Sequence, residues 1–467
     1  MELQRSQAAW AVWLDLECRM GVGHSCSLIY RPFLSGEPCS AEKSQHEEPA
    51  AGAGTLSSRL QIEVGQTEGF HSGQIPSPAR GTMRGWSRVK YFMFPCTTSQ
   101  LFHFRQCRVQ SVGSGKGFLS EVMRVELQWK EIMDNTQLPT HVILKTTNSE
   151  KLSRFVKSDH MTPSEEEATR MTMELFHNTE CAVYEMFSSD PPGIPLATCY
   201  CTVPIRADNE TPMVVLQDLH VNGKHQPIEK GLTVDQLFDV ADKLAKLHSW
   251  SLTTKYRWKE KVPACETFCS IVQREAKHFV EATAHRLKGK TKKLDAIDVD
   301  KIKLLLADEE KMTKLMTSFR SLIPEVIVHG DLWSNNLIFS IDEKTSEASG
   351  NLIAIIDWQI CHQGSFAEDL CNLFGCSIDE STRRDYTEAV FKRYFNTLNE
   401  LISGELPLPS FEKAYAEFRT TLAHHYVIAC CSDAVTVSDL HVSSEVKELL
   451  YERIANSYLE GIAYLQL

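Results

Sequence analysis

The stretch "VIVHGDLWSNNLIF", Val326 to Phe339, decides how this chain is read. Three apolar β-branched residues lead into His329-Gly330-Asp331, and an asparagine pair precedes a second apolar run. That pattern is two short buried strands with a polar loop between them. Within the loop, Asp331 and Asn336 stand five apart as D-x-x-x-x-N. Phosphoryl transfer to a hydroxyl needs a carboxylate that orients the nucleophile and accepts its proton. It also needs oxygen ligands for Mg²⁺, which an Asn carbonyl beside a carboxylate supplies. A turn with a capping Asp and a packed histidine would use the same residue types, so other stretches must decide.

The second piece is "NLIAIIDWQ", an apolar strand ending at Asp357, twenty-one residues after Asn336. A carboxylate at the end of a buried strand is costly unless paired or metal-bound, and in a phosphotransferase it is the main Mg²⁺ ligand. Lys145 closes the apolar run "HVILK". It either snorkels to water or contacts the α- and β-phosphates of a nucleotide, oriented by a glutamate. Glu180 is the candidate partner, four residues after Phe176 and four before Tyr184, where it interrupts an apolar helical stripe. Glu174 and Glu185 are alternatives on more solvated faces. "SVGSGKGFLS" sets Gly113, Gly115 and Gly117 at alternate positions. Such glycines let a hairpin close over phosphates without Cβ clashes, although many such loops are plain turns.

Beyond these motifs, the 467 residues carry a net charge of −12, which argues against a nucleic-acid partner. The 15 cysteines are odd in number and contain no C-x-x-C pair, as expected for reduced thiols of an intracellular protein without a zinc site. No apolar run approaches the roughly 18 residues of a membrane span. "AAWAVWL" is followed at once by Asp15 and Glu17 and makes a poor signal peptide, so the expected location is cytoplasmic. Residues 1–100 read as a poorly ordered extension rich in Gly, Ser, Pro, Glu and Gln from Ser35 to Arg84, with at most a short helix around Gln7 to Arg19. Residues 101–222 read strand, strand, helix, strand, strand, from "FLSEVMRVELQW" to "PMVVLQDL", and make a small nucleotide-binding lobe. Residues 223–467 are helical, interrupted by an all-β island from Val326 to Asp357. In "TVDQLFDVADKLAKLHSWSL", Leu237, Val240, Leu244, Leu247 and Leu252 share one helical face.

These stretches resemble protein-kinase-like phosphotransferases of the aminoglycoside-phosphotransferase and choline-kinase clan, and within it the ecdysteroid-kinase-like, or CHK-kinase-like, family. "GSGKGFLSEV", "VILK", "HNTECAVYE", "VVLQDL", "LAKLHSWSL", "HGDLWSNNLIF", "IIDWQ" and "SFAEDLCNLF" carry the likeness, in order, from Gly113 to Phe374. The resemblance implies an α+β, two-lobe fold: a small, mainly antiparallel β N-lobe with one key helix, and a large helical C-lobe. It implies ATP and Mg²⁺ as cofactors, Asp331 as catalytic base, and Asn336 and Asp357 as metal ligands. Lys145 and Glu180 would form the phosphate-orienting pair. Gln217, Asp218 and Leu219 would form the hinge that meets the adenine through its backbone, with Gln217 where relatives often have Glu. Asp369 and His329 would brace the catalytic loop.

Two spacings, independent of that likeness, argue against a protein kinase. Only eleven residues separate Asp357 from Asp369, too few for a peptide-docking segment, whereas 78 lie between Trp250 and His329. The latter form a helical insertion, Cys265 to Phe319, suited to wall a small-molecule pocket. The expected activity is therefore an ATP- and Mg²⁺-dependent small-molecule O-kinase acting on a hydroxylated metabolite, steroid or xenobiotic. The alternative is a weak or inactive kinase-like nucleotide-binding or regulatory module. Trp333, Trp358 and Tyr426 are aromatic candidates for the acceptor pocket.

Overall fold

The computed structural model describes residues 104–112, 120–129, 138–147, 163–206, 212–284, 292, 294–308 and 322–466, with three short strands nearer the start. Those strands, β1 (Ala11–Trp13), β2 (Ile29–Tyr30) and β3 (Tyr91–Met93), form an antiparallel sheet in the order β2-β1-β3. Ala11–Trp13 is thus extended where the sequence allowed a helix over Gln7 to Arg19. A β-branched residue next to an aromatic one suits strand pairing. The stretch from Ser35 to Arg84 lies outside the described residues.

The chain divides into two compact units, residues 1–110 with 125–142 and residues 111–124 with 143–467. The smaller holds the β1–β3 sheet, nearly all of β4 (Phe104–Ser111) and the second half of β5 (Glu121–Trp129). Along β5, Val125 and Leu127 are buried and Gln128 is exposed, as the alternation requires.

The larger unit contains the rest. Strand β6 (His141–Thr146) precedes α1 (Pro163–Ser189), then β7 (Cys199–Val203) and β8 (Met213–Gln217) follow. The strands neighbour one another in the order β6-β8-β7, with β7 and β8 antiparallel. After β9 (Gly223–Lys224) the chain becomes helical: α2 (Val234–Thr253), α3 (Cys265–Ala282) and α4 (Val299–Ala307). Thr233 and Gln236 cap α2 reciprocally, side chain to backbone in both directions. Leu237, Val240, Leu244 and Leu247 are fully buried on one face of α2, each contributing about 2 kcal/mol of apolar transfer.

The β-rich island comprises β10 (Val326–Val328), β11 (Leu337–Ile341), β12 (Ala348–Ile355) and β13 (His362–Gly364). The two strands that flank the loop do not pair with each other. β10 pairs with β13, whereas β11 sits between β12 and β9. The island thus extends past Asp357 and recruits the distant two-residue β9. Helices α5 (Glu368–Cys376), α6 (Glu380–Leu401), α7 (Phe411–Asp439) and α8 (Ser444–Leu465) complete the unit. Their core includes Phe391 stacked on Phe418 at 4.6 Å. The class is α+β, with a mainly antiparallel strand-rich part built around α1 and a large helical part after it. Among the described residues, no helix is long and apolar enough to cross a membrane.

Helices α7 and α8 pack backbone against backbone at Gly461, where a Cβ would lie 2.6 Å from the Ala423 carbonyl oxygen. The obstacle is backbone, which no rotamer change relieves. Gly461→Ala is expected to cost about 1–3 kcal/mol, read as a lowered urea midpoint with unchanged slope.

Candidate active site

Asp369, in the first turn of α5, holds the loop after β10 by its backbone. The His329 amide donates to Asp369 Oδ2 (2.9 Å) and the Gly330 amide to Oδ1 (3.0 Å). His248, on the apolar face of α2, places Nε2 3.9 Å from the same carboxylate and Nδ1 2.8 Å from the Tyr394 hydroxyl. Burial alone would raise the Asp369 carboxyl, but the nearby His248 and His329 rings and the His329 amide hold it below the ordinary value. Asn372, one turn along α5, donates to the Gly330 carbonyl (2.9 Å).

The loop is strained where it must be glycine. Gly330 has φ +84°, and a Cβ there would lie 2.6 Å from the Ile360 carbonyl. His329 Nδ1 accepts from the Asp331 amide (3.2 Å), so Nε2 carries the proton and donates to the Ile356 carbonyl (2.9 Å). His329 thus ties the loop to the backbone that follows β12.

Asp331 emerges beside Asn336, whose amide nitrogen donates to the Asp331 carbonyl (2.7 Å) and to Oδ2 (2.9 Å). Burial, then the negative charge of Asp357, raise the Asp331 carboxyl, against the opposing pull of His329, Asn336 and Trp333. Asp357 follows β12 in the left-handed region, φ +67°, and Oδ1 lies 2.5 Å from Lys145 Nζ. The same Nζ is 2.7 Å from Glu180 Oε2 on α1. Burial opposes the Lys145 charge, but Asp357 and Glu180 outweigh it and raise the ammonium above its ordinary value. Burial pushes Glu180 up to about 7 against the attraction of Lys145. Of the three glutamates weighed from sequence, Glu180 is the one that meets Lys145. Glu174 pairs with Arg170 on the surface, and Glu185 accepts from Thr202.

With the amide nitrogen of Asn336 facing Asp331, its carbonyl oxygen is the group left for a ligand, and Asp357 keeps Oδ2 away from Lys145. Two oxygen donors suit Mg²⁺, which takes one or two protein ligands and fills its shell with phosphates and water. Among the described residues, no cluster of three His, Cys, Asp or Glu could hold a metal ion by itself.

At the positions where the resemblance expects a hinge, Gln217 Oε1 accepts from the Thr198 amide and hydroxyl (3.2 and 3.1 Å). Asp218 is clamped by Arg124 (2.5 Å) and His220 (2.9 Å). Both side chains are committed within the protein, and Leu219 packs on the core, so a ligand here would meet backbone. Gly113, Gly115 and Gly117 lie outside the described residues.

Trp358 is corrected from acceptor wall to core. It is fully buried, donates to the Ile355 carbonyl, and packs edge-on against Phe187 (5.1 Å) and beside His329. Tyr426 is buried with the Arg383 guanidinium over its ring. Trp333 is the one of the three that sits on the Asp331 loop, where its backbone amide donates to the Asp331 carbonyl (3.1 Å). His248, Asn372 and His362 were missed. His248 could have been noticed as a polar break in an apolar stripe, and Asn372 by its three-residue spacing from Asp369.

Removing the Asp369 carboxylate leaves the buried His329 amide and the part-buried Gly330 amide unsatisfied. Asp369→Ala is expected to cost about 3–5 kcal/mol. Because the carboxyl is held low in the fold, its contribution is complete above the ordinary value, about pH 4, and is lost as pH falls through the depressed one. Urea melts between pH 3 and pH 7 should show that acid-side loss in the parent protein and a smaller one in Asp369→Asn.

Solved structures align with this chain at low identity. A Plasmodium vivax ethanolamine kinase aligns over 75% of this chain and 81% of its own, at 14% identity and a TM-score of 0.42. A choline kinase from Cryptosporidium parvum Iowa II aligns over 77% of this chain and 90% of its own, at 14% identity and a TM-score of 0.45. A Caenorhabditis elegans protein named "Uncharacterized oxidoreductase dhs-27" is 26% identical over 335 residues, 69% of this chain, and the match spans only 39% of that protein's length. The family model DUF1679, described by that same name, matches residues 97–459. The chain belongs to that family, the ecdysteroid-kinase-like one.

Proposed function

We propose that this chain is an ATP- and Mg²⁺-dependent kinase that moves a phosphoryl group onto a hydroxyl of a small molecule. One observation carries the reading: a buried lysine shared by Glu180 at 2.7 Å and Asp357 at 2.5 Å. A cation fixed by two carboxylates from separate elements is preorganised to take phosphate oxygens in place of one of them. Glu180 keeps Lys145 aimed when Asp357 turns to a metal.

Asp331 orients the acceptor hydroxyl and takes its proton, and its raised carboxyl makes it a better base than an ordinary aspartate. Asn336 fixes the Asp331 rotamer through its amide nitrogen and would hold Mg²⁺ through its carbonyl, with Asp357 as the second ligand. When bound, Mg²⁺ neutralises charge on the β- and γ-phosphates. The hinge at Gln217, Asp218 and Leu219 would meet the base through its backbone. The phosphate loop would be Gly113, Gly115 and Gly117.

A small acceptor is supported by the link from Asp357 to α5. It holds one short turn, Trp358–Ile360, and the three residues of β13. No room is left for a peptide-docking segment. The oxidoreductase name belongs to a protein of which this chain spans 39%. The Lys145, Asp331 and Asp357 arrangement favours phosphoryl transfer.

Asp331→Asn is expected to lower ATP turnover by about 10²–10⁴-fold, with the Mg-ATP thermal shift retained. Lys145→Met should weaken that shift. A folded protein that binds no Mg-ATP would exclude both the kinase and a nucleotide-binding module.

A further inference from the structure

Helix α5 links the catalytic loop to a part of α7 that the chemistry above does not use. Asn372 holds the Gly330 carbonyl, and Gly375 lies three residues on, along the same face of the helix. A Cβ at Gly375 would stand 3.4 Å from His425 Nε2 and 3.9 Å from Asp433 Oδ2, so two polar side chains of α7 converge there. Trp333 connects this region to the base. Its backbone amide donates to the Asp331 carbonyl (3.1 Å), and its ring packs on the apolar cluster holding Cys430, Cys431 and Ala434, the neighbours of Asp433 along α7.

Asp433 has no hydrogen bond or ion pair with any described residue. Burial, and then the charge of Asp331, push its carboxyl up to about 7. The basic group beside it brings no counter-charge, because burial pushes His425 down to about 4 and leaves the ring neutral near pH 7. A solvated carboxylate would need no explanation. A half-buried one set against a second carboxylate costs stability, and groups of that kind concentrate at functional sites.

We propose that Asp433 is the specificity-determining carboxylate of the acceptor site. It receives a second hydrogen-bond donor of the acceptor, a protonated amine or a further hydroxyl, while Asp331 receives the hydroxyl to be phosphorylated. This rests on the kinase reading. It excludes acceptors with a single polar group.

The test is ATP consumption by the full chain with matched probes: glucosamine against glucose, 2-aminoethanol against ethylene glycol, and 1-hexanol as an acceptor without a second donor. Asp433→Leu should raise the acceptor KM at least about tenfold for every probe with a second donor, with a smaller change in kcat. Asp433→Asn separates the two donor types: the amines lose about tenfold, whereas the diols and glucose lose little. Thermal unfolding of both variants shows that they are folded. An unchanged KM in Asp433→Leu overturns the proposal. So does equal turnover of 1-hexanol, or turnover of no donor-bearing probe while Mg-ATP still binds. Failure to bind Mg-ATP would instead remove the kinase reading itself.

Discussion

A single buried carboxylate, Asp369, sets the shape on which the site depends. It satisfies two consecutive backbone amides, that of the buried His329 and that of the part-buried Gly330, which would otherwise lack a partner. Its place in the first turn of α5 adds the favourable end of the helix dipole. With those amides fixed, Gly330 is forced to positive φ, and Asp331 leaves the turn in one direction only. The position of Asp331 is thus decided by a residue thirty-eight places further along the chain.

The second constraint is electrostatic. Lys145 is buried and would lose its charge if left alone. Two carboxylates keep it ionised, one from α1 and one from the end of β12. Three segments far apart in sequence therefore meet at one nitrogen, and each is indispensable to the others. Glu180 without Lys145 would be a buried unpaired acid, and burial already pushes it up to about 7. An arrangement so costly to leave incomplete specifies its own geometry.

Much of this was legible because the decisive signals are short-range. Asp331 and Asn336 are five residues apart, and the chemistry of that spacing does not depend on the rest of the fold. Glu180 could be preferred to Glu174 and Glu185 because it interrupts an apolar stripe, and its burial follows from that stripe. The strand alternation around Val125 and Leu127 and the α2 face from Leu237 to Leu247 were equally plain, since periodicity is a local property. What escaped notice was set by tertiary contact. His248 looks like any histidine in a helix until Asp369 and Tyr394 are placed around it. Strands β9 and β13 are two and three residues long, too short for any pattern. Trp358 was misjudged because adjacency to Asp357 in sequence does not give a side chain the same direction. The backbone turns left-handed at Asp357, and the indole goes into the core.

The short link after Asp357 has a structural consequence of its own. β13 brings His362 against the catalytic loop, with its ring 3.2 Å from where a Gly330 Cβ would stand. Nδ1 faces the Ile360 carbonyl at 2.8 Å and Nε2 faces Glu368 at 3.0 Å. Both partners are acceptors, so the ring carries two protons and a positive charge. Burial opposes that charge, and Glu368 outweighs it, raising the His362 pKa. Phe268, from α3, lies flat on the ring at 3.5 Å, and a cation stacked on an aromatic face is favourable. One imidazolium thus joins the helical insertion to the loop that carries Asp331. A protein kinase gives the space after its metal-binding aspartate to a long segment that docks peptides. Here the same space holds one short turn, the three residues of β13 and a stacked pair.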